Sequence, residues 1–205
     1  TIEEDDDFSF RDSDLRYKHI VKTEKKISSA CIFFIMDVSG SMSTEKKFLA
    51  RSFFFLLYHF IRSKYENTEI VFIAHDTKPY EVDEEKFFGR GTGGGTMVSP
   101  TLEYVNNAIQ TRYNPSAWNI YAFHCSDGDN WTSDNEKTLA LSLKLADTCQ
   151  LYGYCEIEPE DESMRWLSDT SLGKLYANVN EIKTVCIQGK KDVFPAFKKF
   201  FNKTE

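Results

Sequence analysis

The sequence lacks any apolar run long enough to cross a membrane. Its most apolar stretch, 53–61 (FFFLLYHFI), is interrupted by His59 and flanked by Arg51 and Arg62, against the ~20 residues a bilayer requires. No basic-then-apolar leader is visible, and the chain begins at Thr1, which reads as a fragment or a processed product. The five cysteines (31, 125, 149, 155 and 186) are odd in number and never form CxxC, so neither a zinc ribbon nor a redox dithiol is indicated. Cys31, Cys125 and Cys186 lie in apolar runs and read as small hydrophobes; a reducing, cytoplasmic setting fits best.

There is no basic surplus either. Twenty-five Lys and Arg face 32 Asp and Glu, a net charge of −7, which excludes binding to nucleic acid through a basic footprint. Neither a Walker lysine nor a GxSxG elbow occurs. G-x-G-x-x-G does occur at 89–94, but away from the first strand–helix junction, where a dinucleotide fingerprint belongs. The stretch 127–132 begins like a calcium hand and then has Thr132 where the turn needs glycine. The four histidines are dispersed, with no ligand pair at helical spacing.

What is present is a core. Hydrophobic residues make up 41% and aromatics 15% of 205 positions, which excludes wholesale disorder. The acid is concentrated: residues 1–14 hold seven acids and only Arg11 as a base, six of the seven net charges. Residues 1–28 therefore read as an acidic, charged extension, and 29–205 as one nearly neutral domain. Within that domain, apolar β-rich runs at 30–37, 69–75, 119–125, 151–157 and 183–188 alternate with helical patterns, and 78–82 reads as a polar edge strand. Helices are expected at 46–65, 99–112 with Ser99 as N-cap, about 133–149 opened by a Ser133/Glu136 capping box, about 163–177, and 192–202. This alternation predicts a three-layer α/β domain, an open and mostly parallel sheet with helices on both faces. The aromatic runs 53–55 and 200–201 are expected in its core.

Ligands of such sheets bind outside the carboxyl ends of the strands. Three polar loops are expected there: Asp37-Val38-Ser39-Gly40-Ser41, the glycine-rich 91–96 ending in Thr96, and Ser126-Asp127-Gly128-Asp129-Asn130. They offer carboxylates and hydroxyls but no Cys or His, a donor set suited to a hard cation such as Mg²⁺ or Mn²⁺. Asp129 and Asn130 read as loop-shaping or outer groups, His75 as a strand-end histidine bonded to a neighbouring loop, and Trp131 as an exposed contact residue.

Asp-x-Ser-x-Ser, a later Gly-Gly-Thr and Ser-Asp-Gly after a strand together resemble the metal-ion-dependent adhesion site of von Willebrand factor A domains. The resemblance implies direct ligation by Ser39, Ser41 and Thr96, with Asp37 and Asp127 acting mainly through water. It also implies an open position for a partner's Asp or Glu. More narrowly, LRYKH, FFIMDVSGSM, ARSFFF, YENTEIVFIAH, GGGTMVSP and RYNPSAWNIYAFHCSDGDNWTSDN resemble the bacterial YhbH/YeaH family from about Leu15 onward. That likeness implies a cytoplasmic protein associated with a PrkA-type serine kinase and a SpoVR-type protein, in sporulation or stress. The family's His-x-Thr step stands here as His75-Asp76-Thr77, with Asp76 where some relatives have His. A Mg²⁺- or Mn²⁺-dependent phosphoester hydrolase and a metal-free interaction domain are the alternatives; no catalytic base is identifiable, so no enzyme is expected. The acidic head is also a candidate to compete for the open metal position in cis.

Overall fold

In the computed structural model, residues 29–89, 94–158 and 171–201 are described. The first strand, β1 (Ser29–Asp37), is apolar at almost every position and buried along both faces, which makes it a central strand. It pairs in parallel with β2 (Asn67–His75) on one side and β4 (Asn119–Ser126) on the other. β5 (Leu151–Ile157) and β6 (Lys183–Ile187) continue the parallel sheet, and the polar β3 (Pro79–Val82) closes the other edge antiparallel to β2. The order is β3-β2-β1-β4-β5-β6. The expected α/β architecture is the one observed.

Helices cover both faces. α1 (Thr44–Arg62) starts because the Ser43 hydroxyl accepts the Lys46 N–H, and it ends with His59 and Arg62 in its last turn, where cations suit the helix dipole. Leu49, Phe53, Leu57 and Ile61, four apart, form its buried stripe. With α6 (Lys190–Phe201) it covers the side of the sheet bearing Ile32, Phe34 and Met36. α3 (Ser99–Arg112), α4 (Asn135–Thr148) and α5 (Leu172–Tyr176) cover the side bearing Phe33 and Ile35. Gly153 on β5 is required by packing: a Cβ there would lie 2.6 Å from the Phe200 ring of α6.

Several local expectations are corrected. A short helix, α2 (Glu84–Gly89), intervenes after β3 and was not anticipated. Of the helix expected at about 163–177, 163–170 lie outside the described residues and only Leu172–Tyr176 is observed. The aromatic run 53–55 divides, with Phe53 and Phe54 in the core and Phe55 turned to solvent, because three consecutive helical positions cannot share one buried face. All five cysteines are free, and Cys186 is exposed rather than packed as a hydrophobe.

The caps differ most. Ser99 is not the N-cap of α3; that position is Val98, which has no capping side chain. Nor does the capping box form: the N-cap of α4 is Asp134, and its side chain caps no backbone N–H of its own helix. Its carboxylate reaches α3 instead. Oδ2 accepts the N–H groups of Val98 at 3.1 Å and Ser99 at 2.9 Å and the Thr138 hydroxyl at 2.9 Å, while the Ser99 hydroxyl donates to Oδ1 at 2.5 Å. Burial works against this charge, but these hydrogen bonds outweigh it and hold its pKa below the usual carboxylate value. One carboxylate thus caps α3 from a distant loop and fastens the loop before α3 to the loop after β4.

Removing that clamp leaves buried donors unpaired. Asp134→Ala should therefore cost about 2–4 kcal/mol in urea unfolding, and Asp134→Asn distinctly less. A cost below about 0.5 kcal/mol would show that the two loops are held by other contacts.

Candidate functional site

β1 lies between β2 and β4, although the chain visits them on different passes. The order reverses at β1, so the crevice beyond its carboxyl end is the binding position of this architecture. Asp37 is the last residue of β1, in register with His75 of β2. The three loops expected at this rim do meet there.

The first loop folds back on its own strand. The Ser39 N–H donates to Asp37 Oδ1 at 2.8 Å, and the Ser39 and Ser41 hydroxyls lie 3.2 Å apart. The Gly40 N–H reaches the Gly94 carbonyl at 3.3 Å, linking this loop to the glycine-rich one. Thr96, two residues on, is buried. Residues 91–93 of that loop lie outside the described residues. Asp76, on which the family likeness differs, shapes the same region: its Oδ1 accepts the Lys78 N–H at 3.0 Å, and its carbonyl accepts the Met97 N–H at 3.0 Å.

The third loop brings Asp127, only 4% exposed, into the crevice. Gly128 turns the chain at φ +93°, and a Cβ there would lie 2.8 Å from Glu156 Oε2. Glu156 is half-buried below, its pKa raised chiefly by loss of hydration and partly offset by the Gly173 N–H it accepts. Asn130 shapes the loop rather than facing outward: its Oδ1 accepts the Val98 N–H at 3.1 Å, and its amide donates to Asn135. Trp131 is half exposed, its indole against Gly95, and Asp129 is exposed beside it.

Two groups decide the electrostatics. Asp37 is fully buried, and its Oδ2 has no hydrogen-bond partner among the described residues. Burial first, and then the charge of Asp127, push its pKa from 3.8 to about 7. The second group is Lys46, which sequence reasoning did not single out. From the first turn of α1 its buried ammonium donates to Asp127 Oδ2 and to the Ser41 carbonyl, both at 3.1 Å. Its position three residues after the Ser43 cap was the available signal.

His75 bonds the neighbouring serine loop through its backbone, its carbonyl accepting the Val38 N–H at 2.8 Å, whereas its ring turns inward. Its Nε2 meets His124 Nε2 at 2.8 Å, and both rings are fully buried. Burial pushes His75 down to about 4, and His124 well below its usual value, so the pair is neutral. His75 supports the floor of the site and has no surface to offer a partner.

The arrangement suits a small hard cation. Among the described residues no group of three or more His, Cys, Asp or Glu is placed to hold a metal, and the remaining oxygen donors at the rim are hydroxyls. Ser39, Ser41 and Thr96 supply those, and the unpartnered Asp37 oxygen supplies negative charge without a competing hydrogen bond. The residues fit the ion that the motif implies.

A family model described as "Protein of unknown function (DUF444)" matches residues 2–204. A UPF0229 protein of Ruminiclostridium cellulolyticum is 47% identical over 203 residues, covering 96% of this chain and 49% of that protein. One of Clostridium perfringens is 43% identical over 196 residues, covering 93% and 48%. The chain thus spans about half the length of the curated relatives it matches. Among solved structures, a mutant of the PilB minor pilin from Streptococcus sanguinis aligns with a TM-score of 0.56 at 9% identity, covering 87% of this chain and 61% of that one. An aerotolerance-related membrane protein from Bacteroides fragilis gives 0.56 at 12%, covering 85% and 100%. These two likenesses concern the fold alone.

The raised pKa of Asp37 has a stability consequence in the absence of metal. From about pH 4 to about pH 7 the unfolded chain releases this proton while the folded chain keeps it, so stability falls as pH rises through that window. Asp37→Asn removes the penalty. With EDTA at pH 8 the variant should be more stable than the wild type by about 2–4 kcal/mol, and near pH 4 the difference should vanish. A variant that unfolds more easily at pH 8 would mean that the ionised carboxylate is already satisfied.

Proposed function

We propose that this chain, which belongs to the DUF444 family, is a metal-dependent protein-binding domain of the von Willebrand A type. The observation that carries the reading is Asp37 Oδ2, a carboxylate oxygen buried without a hydrogen-bond partner at the sheet's switch point. A buried charge of this kind is costly unless a cation meets it. Ser39, Ser41 and Thr96 would hold Mg²⁺ or Mn²⁺ through their hydroxyls, with Asp37 and Asp127 acting through its waters. Weak hydroxyl donors leave the bound ion electrophilic, able to take an Asp or Glu carboxylate from a partner protein.

The protein's own residues arrange the rest. Trp131 and Asp129 stand exposed at the rim as contact and steering groups. Lys46 neutralises Asp127 and opposes a second cation, which sets how tightly the ion is held. The YhbH/YeaH likeness adds a setting, a bacterial cytoplasmic stress or sporulation pathway with a PrkA-type kinase or SpoVR-type protein as partner. The hydrolase alternative needs a base at the site, and His75, the histidine at the rim, spends its Nε2 on His124.

Calorimetric titration of MgCl₂ and MnCl₂ should give one site, abolished by Asp37→Ala and by Thr96→Val in variants that remain folded. Lys46→Met should bind Mg²⁺ at least about tenfold more tightly, since a unit charge is removed from a poorly solvated crevice. Weaker binding by a folded Lys46→Met would show that the ammonium positions Asp127 rather than competing with the ion. Absence of heat with either metal in the wild type would remove the ion from the proposal.

A further inference from the structure

Away from the metal loops, α1 and α6 enclose an open groove of about 570 Å³. Five large apolar side chains are exposed among the described residues, and three of them, Phe48, Phe55 and Phe194, line this groove at 48, 61 and 52% exposure. Such concentration distinguishes it from scattered surface apolar residues. Cations accompany the rings: the Lys190 ammonium lies 5.1 Å from the Phe48 centroid, and that of Lys198 lies 4.8 Å from Phe194. Arg51 lines the groove too, and no acidic residue does.

An occupant for this surface needs aromatic or aliphatic anchors set among acids. The first fourteen residues of the sequence have this character. Residues 1–14 carry seven acids and one base, with Ile2, Phe8 and Phe10 among them. The metal rim exposes a single large aromatic, Trp131, whereas the groove exposes three together with Arg51 and Lys190. Reach is sufficient: residues 15–28 extend to ~50 Å at ~3.5 Å per residue. That reach exceeds the length of β1, which begins at Ser29 and spans ~30 Å over nine residues.

We propose that residues 1–14 dock in cis into the α1/α6 groove. Phe8 and Phe10 pack among Phe48, Phe55 and Phe194, and the acids face Arg51, Lys190 and Lys198. The tether makes the contact intramolecular, so weak contacts hold it at an effective concentration in the millimolar range. Because α1 also carries Lys46, the docked segment rests on the helix that bounds the metal crevice, without entering it. The proposal does not depend on metal.

Zero-length carbodiimide coupling of the full chain in EDTA, with peptides mapped from the monomer band, tests it. Acids of residues 1–14 should join Lys190 and Lys198. Yields should fall at least about fivefold in Phe8→Ser/Phe10→Ser and in Phe55→Ser, the loss expected for an aromatic anchor. Phe55 is exposed, so its substitution leaves the core intact. Coupling spread equally to lysines of the other face, such as Lys137 and Lys144, and indifferent to these substitutions would overturn the proposal. Links found only between chains, in the dimer band, would overturn it in favour of a second copy as the occupant.

Discussion

The burial of the Asp37 carboxylate at the end of the central strand constrains the whole rim. β1 is covered on both faces and flanked on both edges, so its last side chain is sealed from water by the fold itself. A carboxylate in that position loses its hydration and sits near Asp127, and both effects raise its pKa. One oxygen is satisfied by the Ser39 N–H and the other by nothing among the described residues. A residue chosen for stability alone would be apolar or amide here. Stability given up at one buried polar group is a common mark of a functional site.

The surrounding structure holds that group in place. Asp134 and Asn130 fasten the loop carrying Thr96 to the loop carrying Asp127, and the Gly40–Gly94 bond ties both to the serine loop. Beneath them the neutral His75–His124 pair and half-buried Glu156 form a polar floor that cannot shift without leaving groups unpaired. Lys46 completes the balance by placing one positive charge against Asp127. The crevice is therefore preorganised, and its charge is set by residues from three separate elements.

Much of this was legible in the sequence because strand burial leaves a simple trace. ACIFFIMD and EIVFIAH read as buried strands, and their ends located the rim and the oxygen donors of all three loops. Caps were less legible because a carboxylate can serve any nearby helix. The capping box put the cap of α4 at Ser133, yet the cap is Asp134, whose partners at Val98 and Ser99 lie some 35 residues away in sequence. Lys46 was hidden for a related reason, since a lysine in a helical first turn reads as solvated until the crevice behind it is known. Phe55 and Cys186 fail through composition: apolar neighbours suggested burial, and helix phase and strand position placed them outside.

The claim that the three loops form a cation site is tested most directly by anomalous diffraction from crystals grown with MnCl₂. The account predicts a single manganese peak at the crevice, bounded by the hydroxyls of Ser39, Ser41 and Thr96, with the Lys46 ammonium displaced from Asp127. Crystals that show no manganese there, with Lys46 still bonded to Asp127 and the Ser41 carbonyl, would contradict it.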